Sequence, residues 1–228
     1  MAQKINPLSF RIGTIQLWNS YIQIYGKLKQ PFLLILHKYL KSYTYLSRAS
    51  NYIGFLIDYQ EWKISKSIIK VNLYYQCFPQ ILIKRNFQQF FLLHKTLFLT
   101  KVSVRFYLRS SWSLSNKLIE SYFQYLLDAN ISPNKIMLIL RKFLVVCLNS
   151  KKIAFFKYGI VNLKLSGFKL RISGRFEDSK SQMAKSVEET SGHLPLTSVK
   201  NYVIYSNNHI YTKSGVCGLK IWLFYTIR

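Results

Sequence analysis

Acidic side chains are nearly missing from this sequence: 228 residues hold 8 Asp plus Glu against 33 Lys plus Arg, a formal net charge of +25. Cysteine, proline and glycine are also scarce, at 3, 5 and 9. Each shortage excludes something. With so few acids no pair of carboxylates assembles for general acid–base work, because Glu177-Asp178 and Glu188-Glu189 both fall in the most polar stretch, where solvation and helix-end charge account for them. Cys77, Cys147 and Cys217 are odd in number, widely separated and without a CxxC pair. That excludes a disulfide framework and a zinc site and fits a reducing compartment. His37, His94, His193 and His209 lie far apart with no second ligand at metal spacing. No glycine occurs between Gly54 and Gly159, and GVCG near the end is too short for a phosphate loop and lacks the Lys-Ser/Thr that would follow. An enzyme is not expected, nor any cofactor.

Long apolar runs are absent too. None approaches the roughly 18 residues of a membrane span; the greasiest segments, PFLLILHKYLK and NFQQFFLLHKTLFL, carry His and Lys within them. The opening MAQKINPLSFRIG does not read as a signal peptide, since Pro7, Ser9, Arg11 and Gly13 interrupt any apolar core. What is present is hydrophobic residue, 50% of the chain, with 16% aromatic. Disorder through net charge requires low hydrophobicity, so this chain is expected to fold and to display its charge on structure. A charge of this size repels itself unless a polyanion neutralises it. Nucleic acid is the first candidate partner and an anionic membrane surface the second. Abundant Phe, Tyr, Ile, Asn and Lys fit an A/T-rich gene, such as an organelle's.

Periodicity locates the elements. KVSVRFYLR places Val102, Val104, Phe106 and Leu108 on one face and Lys101, Ser103, Arg105 and Arg109 on the other, the pattern of a half-buried antiparallel strand. SIIKVNLYY repeats it. PFLLILHKYLKSYTYL and NFQQFFLLHKTLF have helical spacing, so the first half reads helix, strand, strand, helix, strand. RSSWSLSN, around Ser110 to Asn116, is the cleanest domain boundary. A helix follows in NKLIESYFQYLL, with Leu118, Tyr122 and Leu126 in one stripe. Ser132 as N-cap and Pro133 at the first helical position open a second, NKIMLILRKFLVVCL, and the two are expected to pack together. Strands return in GFKLRISGRF, SVKNYVIY and GLKIWLFY, and FEDSKSQMAKSVEETSGHLP between them reads as a loop with at most one short helix. The second half is α+β with a mostly antiparallel sheet. Trp222, beside Ile221 and Leu223, is assigned to the core, as is Trp18. Gly174 reads as a bulge or bend.

Five separated stretches in order resemble one family. QKINPLSFRIG, LWNS, the Ser-Gly-Arg of Ser173 to Arg175, Gly192-His193-Leu194-Pro195-Leu196 and GVCGLKIW are similar to protein three of the small ribosomal subunit. The resemblance implies an α+β protein: an N-terminal rRNA-binding arm over residues 1–30, a type II KH-like domain over 31–109, and a C-terminal domain over 110–228. Two departures stand out. A KH domain clamps single-stranded backbone with a GXXG loop, but after Tyr75 this chain reads QCFPQILIKRNFQQ, so the KH domain is degenerate. The paired arginines that family members carry near the turn at Leu127 to Asn130 are also missing; Lys135, Arg141 and Lys142 are the nearest cations.

The resemblance implies binding of small-subunit rRNA in the head of the subunit, near the point where messenger RNA enters, beside neighbouring head proteins and in a mitochondrion, with a plastid or bacterial cytoplasm as the alternative compartment. Its candidate RNA contacts here are Lys4 and Arg11 at the start, Lys169, Arg171 and Arg175 on one strand face with no intervening acid, and Lys185, His193, Lys200, Lys213 and Lys220. The alternative function is a peripheral membrane protein holding anionic lipid through basic aromatic surfaces.

Overall fold

The computed structural model describes residues 6–18, 55–64, 68–77, 101–109, 115–157, 159–175, 183–212 and 215–227. The chain divides into two compact units. One joins Met1–Tyr21 to Leu126–Arg228, and the other is Ile22–Tyr125. The sequence had suggested boundaries near 30 and 109; instead, the first twenty-one residues belong with the C-terminal unit.

In the Ile22–Tyr125 unit, β1 (Phe55–Ile64), β2 (Ile68–Cys77) and β3 (Lys101–Leu108) form a sheet in the order β1-β2-β3. β1 and β2 are antiparallel, whereas β2 and β3 are parallel. The expectation of an antiparallel partner for KVSVRFYLR is thus corrected. A hairpin turn returns the chain antiparallel, but residues 78–100 supply a connection long enough for a parallel crossover. The two helices expected in this half, and the QCFPQILIKRNFQQ loop, lie outside the described residues. Leu56, Ile57, Val71 and Leu73 are buried. Asp58, also buried, accepts from the Ser115 hydroxyl and pairs at 3.0 Å with Arg109, tying β1 to the end of β3. Helix α1 (Asn116–Asp128) lies mainly in this unit and buries Leu118, Ile119, Phe123 and Leu126, the stripe its period requires.

The other unit is one helix and a five-stranded sheet. Helix α2 (Pro133–Val146) starts at Ser132 in extended backbone with Pro133 in its first turn, and buries Ile136, Met137, Leu140 and Leu144. The strands are β4 (Lys151–Phe156), β5 (Gly159–Gly174), β6 (Lys185–Gly192), β7 (Tyr202–Thr212) and β8 (Gly215–Ile227). Their order is β4-β5-β8-β7 with β6 also paired to β5, and every pairing is antiparallel. One expectation fails here: part of the polar stretch taken for a loop is β6. Its alternation went unseen because its exposed and half-buried positions are all polar or small apart from Val187.

β5 shows how a strand changes which parity it buries. Leu163 and Leu165 are buried before an irregularity at Ser166, and Phe168, Leu170 and Ile172 after it. One extra residue moves the buried set from odd to even numbers, as a β-bulge does. The bulge is held by Ser166: its hydroxyl donates to the Phe224 carbonyl at 3.1 Å and its own carbonyl accepts from the His193 N–H at 3.0 Å.

Gly192 explains itself at this bulge. It has φ +79°, and an added Cβ would overlap the Ser166 carbonyl oxygen and lie 2.8 Å from Gly167 Cα. Gly215 has φ +133° but open space around the missing Cβ. Gly192→Ala should therefore cost the sum of backbone strain and overpacking, about 2–5 kcal/mol, and Gly215→Ala only the strain. Urea unfolding of the two variants should show the first clearly less stable than the second; equal losses would place the cost in φ alone.

Candidate nucleic-acid interface

The sheet of the C-terminal unit has two unlike faces. One is apolar: Phe168, Leu170, Ile172, Leu219, Ile221 and Leu223 are fully buried. Strand alternation sends Lys169, Arg171, Lys220 and Trp222 to the other face. Trp222 is therefore corrected from core to the cationic face, because its neighbours Ile221 and Leu223 occupy the buried parity. The register assembles two rows. Lys169, Trp222 and Tyr205 are cross-strand neighbours, and so are Arg171, Lys220 and Asn207. Tyr205 and Trp222 rings stand 5.2 Å apart at 40°, and Lys169 Nζ lies 5.7 Å from the Trp222 centroid. Burial raises the Tyr205 pKa, so its hydroxyl remains a protonated donor at neutral pH.

The N-terminal segment forms a wall beside these rows. Asn6, Pro7, Phe10 and Arg11, with Leu196 and Thr197, enclose the rows in an open cleft of about 640 Å³. Four cationic side chains line it, and they do not have equal roles. Arg11 was read as an RNA contact, but the structure buries it to 1% exposure and engages four of its N–H groups within the protein. Nε donates to Asn201 O at 2.9 Å, Nη1 to Pro7 O at 2.7 Å, and Nη2 to Ser198 O at 2.7 Å and Leu196 O at 3.3 Å. Burial lowers its pKa from the usual guanidinium value, yet a guanidinium keeps its proton throughout the working range. Arg11 thus positions the wall. Gln16 repeats the device, donating to Val203 O at 2.9 Å.

The cation face is not free of acid. β6 runs beside β5, so Glu188 comes opposite Arg171. Its two oxygens hold one cation each: Lys169 Nζ at 2.7 Å and Arg171 Nη1 at 3.2 Å. Glu189 points to the opposite face and pairs with Arg141 of α2 at 3.0 Å. The sequence reading missed Glu188 because the contact runs between strands rather than along one.

The remaining candidates are dispersed. Arg175 and Lys185 are exposed at the Gly174 end of the β5–β6 pair, where Gly174 closes β5 with φ +148°. His193 and Lys200 are exposed on the segment joining β6 to β7, and Lys200 precedes rather than joins β7. Lys4 and Lys213 lie outside the described residues, as do His37 and His94. Trp18, expected in the core, is 62% exposed. Tyr205 and Asn207 were not foreseen, although the buried Ile210, of opposite parity, sets the alternation that turns both to the other face. Among the described residues no group of three His, Cys, Asp or Glu could hold a metal, and no helix is long and apolar enough to cross a membrane.

Known proteins resemble this chain over its whole length. It is 43% identical to small ribosomal subunit protein uS3m of Chondrus crispus, covering 99% of this chain and 95% of that protein. The chain belongs to the uS3 family. Small ribosomal subunit protein uS3c of Marchantia polymorpha is 30% identical, and that of Spirogyra maxima 26%, each with 98% of both chains covered. The stronger likeness is to the mitochondrial form rather than to the chloroplast forms, and the chain is accordingly mitochondrial. No protein-family profile matches the chain. No enzyme is indicated, the uS3 proteins being structural.

If Arg11 is a positioning residue, Arg11→Met should lower stability by about 2–4 kcal/mol, because four carbonyls lose their donors. The salt dependence of RNA binding measured on the folded fraction should keep its slope. A reduced slope with unchanged stability would mean that Arg11 touches phosphate after all.

Proposed function

We propose that this chain is a structural component of the small subunit of the mitochondrial ribosome, binding ribosomal RNA through the cationic face of its C-terminal sheet. The observation that carries this reading is the convergence of Lys169, Arg171 and Lys220, from two strands, on one cleft with Trp222 and Tyr205, in a chain of the uS3 family. Phosphate contacts of this kind fix position and register without reading sequence, while the buried sheet holds the cations in place. Placement in the subunit head, beside the path of incoming messenger RNA and among other head proteins, follows from the family resemblance and is part of the same proposal.

Glu188 deserves a role in this reading. A carboxylate shared by Lys169 and Arg171 keeps both side chains extended along the sheet before RNA arrives, at the cost of part of their charge. The membrane reading is less well supported. α2 is basic, but its main apolar stripe, Ile136, Met137, Leu140 and Leu144, is buried in the fold and not available to a lipid surface, which leaves Leu138, Ile139, Val145 and Val146 as its exposed apolar side chains.

Substituting Lys169, Arg171 and Lys220 together with Gln should weaken binding to small-subunit RNA and reduce the slope of log K against log salt by about 0.7–0.9 per phosphate contact removed. Glu188→Gln should tighten binding at low salt. A parent-like slope in the triple variant would return this face to solvent, and liposome co-sedimentation without RNA binding would favour lipid.

A further inference from the structure

The three-stranded sheet of the other unit has a face that the proposed function leaves unused. On β2, Val71 and Leu73 are buried, so alternation turns Lys70, Asn72 and Tyr74 to the opposite side. The register sets Lys63 and Ser103 beside Lys70, and Glu61 and Arg105 beside Asn72. Tyr107 lies opposite Tyr74, and the irregularity between Ile57 and Gln60 brings Tyr59 to its other flank. The three rings form a column across the sheet: Tyr59 to Tyr74 is 6.2 Å between centroids, and Tyr74 to Tyr107 is 5.2 Å with planes 23° apart. Arg109, held by buried Asp58, places its guanidinium carbon 5.3 Å from the Tyr74 centroid.

Charge on this face is mainly positive. Lys63, Lys70 and Arg105 are exposed, and among the described residues no carboxylate pairs with them. Glu61, the acid in these rows, accepts from Asn72 Nδ2 at 3.2 Å. Desolvation and Glu61 both raise the pKa values of Tyr59 and Tyr74, so the phenols add no negative charge. Tyr107 ends the column at 40% exposure.

Cations in rows one and two pleat repeats from an aromatic column, about 7 and 13 Å away, suit a ligand with regularly spaced negative charge and flat apolar rings. Single-stranded RNA has both. A duplex supplies the charge but keeps its base faces covered, and a protein partner would leave three cations uncompensated unless it were strongly acidic. We propose that the Tyr59–Tyr74–Tyr107 column with Lys63, Lys70 and Arg105 is a second RNA contact. It takes a single-stranded segment, stacking a base on Tyr107 and seating the backbone on Lys70 and Arg105. Stacking on side chains does not depend on sequence, so this sheet would grip single strands without a GXXG loop. The site shares no residue with the Lys169 cleft, and each proposal can fail alone.

The test uses the full chain with a 12-nucleotide single-stranded oligoadenylate and a blunt RNA duplex of the same length. Tyr107→Leu should weaken single-strand binding roughly 5- to 100-fold, the range for loss of one base–aromatic stack, while Tyr107→Phe retains it and duplex binding is unchanged. Lys70→Gln with Arg105→Gln should flatten the salt slope for the single strand, and the Lys169, Arg171 and Lys220 variant should leave the Tyr107 effect intact. Because a variant can lose its fold, the unaltered chain is also photocrosslinked to a strand containing 4-thiouridine, with crosslinks expected within residues 101–109. Parent-like single-strand affinity in Tyr107→Leu, equal losses for strand and duplex, or crosslinks confined to residues 160–225 would each overturn the proposal.

Discussion

A buried guanidinium is the constraint on which the cleft depends. Taking Arg11 out of water is costly unless its donors are matched, and the matching acceptors come from the segment joining β6 to β7, which has no ladder partners of its own. Arg11 satisfies three carbonyls of that segment and one of its own turn. The segment and the turn therefore hold each other in place, and the cleft wall follows. Gln16 extends the same arrangement to β7.

Pleat geometry does the rest. Between bulges a strand presents one parity to each face, so residues adjacent in sequence separate while residues distant in sequence align. Lys169 and Lys220 become near neighbours, and Glu188 and Glu189 are sent to opposite faces. In both units the outward rows mix aromatic rings with cations. An exposed ring beside a cation gains a favourable electrostatic contact that an exposed aliphatic would lack, and this helps both kinds of side chain remain at the surface.

The parts legible in the sequence were those with a strong local period. Ser132 and Pro133 mark the start of α2, and Phe168, Leu170 and Ile172 mark the buried face of β5. β6 was not legible because KSVEETSG has no apolar alternation: it is a strand by virtue of its partner. The orientation of β3 was not legible because its alternation suits a parallel and an antiparallel partner alike. Trp222 was misplaced because hydrophobicity outweighed parity, although the parity was written in Ile221 and Leu223. The shared parity of Lys169 and Arg171 was legible, but the acid beside them was not, since a cross-strand pair leaves no trace along either strand. Arg11 looked like every other terminal cation; nothing local distinguishes a guanidinium that will meet carbonyls 185 to 190 positions away.

That separation bears on synthesis. The hydrogen bonds of Arg11 and Gln16 reach partners that leave the translating ribosome 185 to 190 residues later. The Ile22–Tyr125 unit is contiguous and can collapse while the remainder is still being made, as domains generally do. The other unit is discontinuous and cannot close its cleft until the segment from Leu196 to Val203 has been made. Its aromatic and cationic side chains wait longer for their final neighbours, since β7 and β8 supply Tyr205, Asn207, Lys220 and Trp222 to the surface proposed to hold RNA. Maturation of that surface is thereby delayed relative to the contiguous unit.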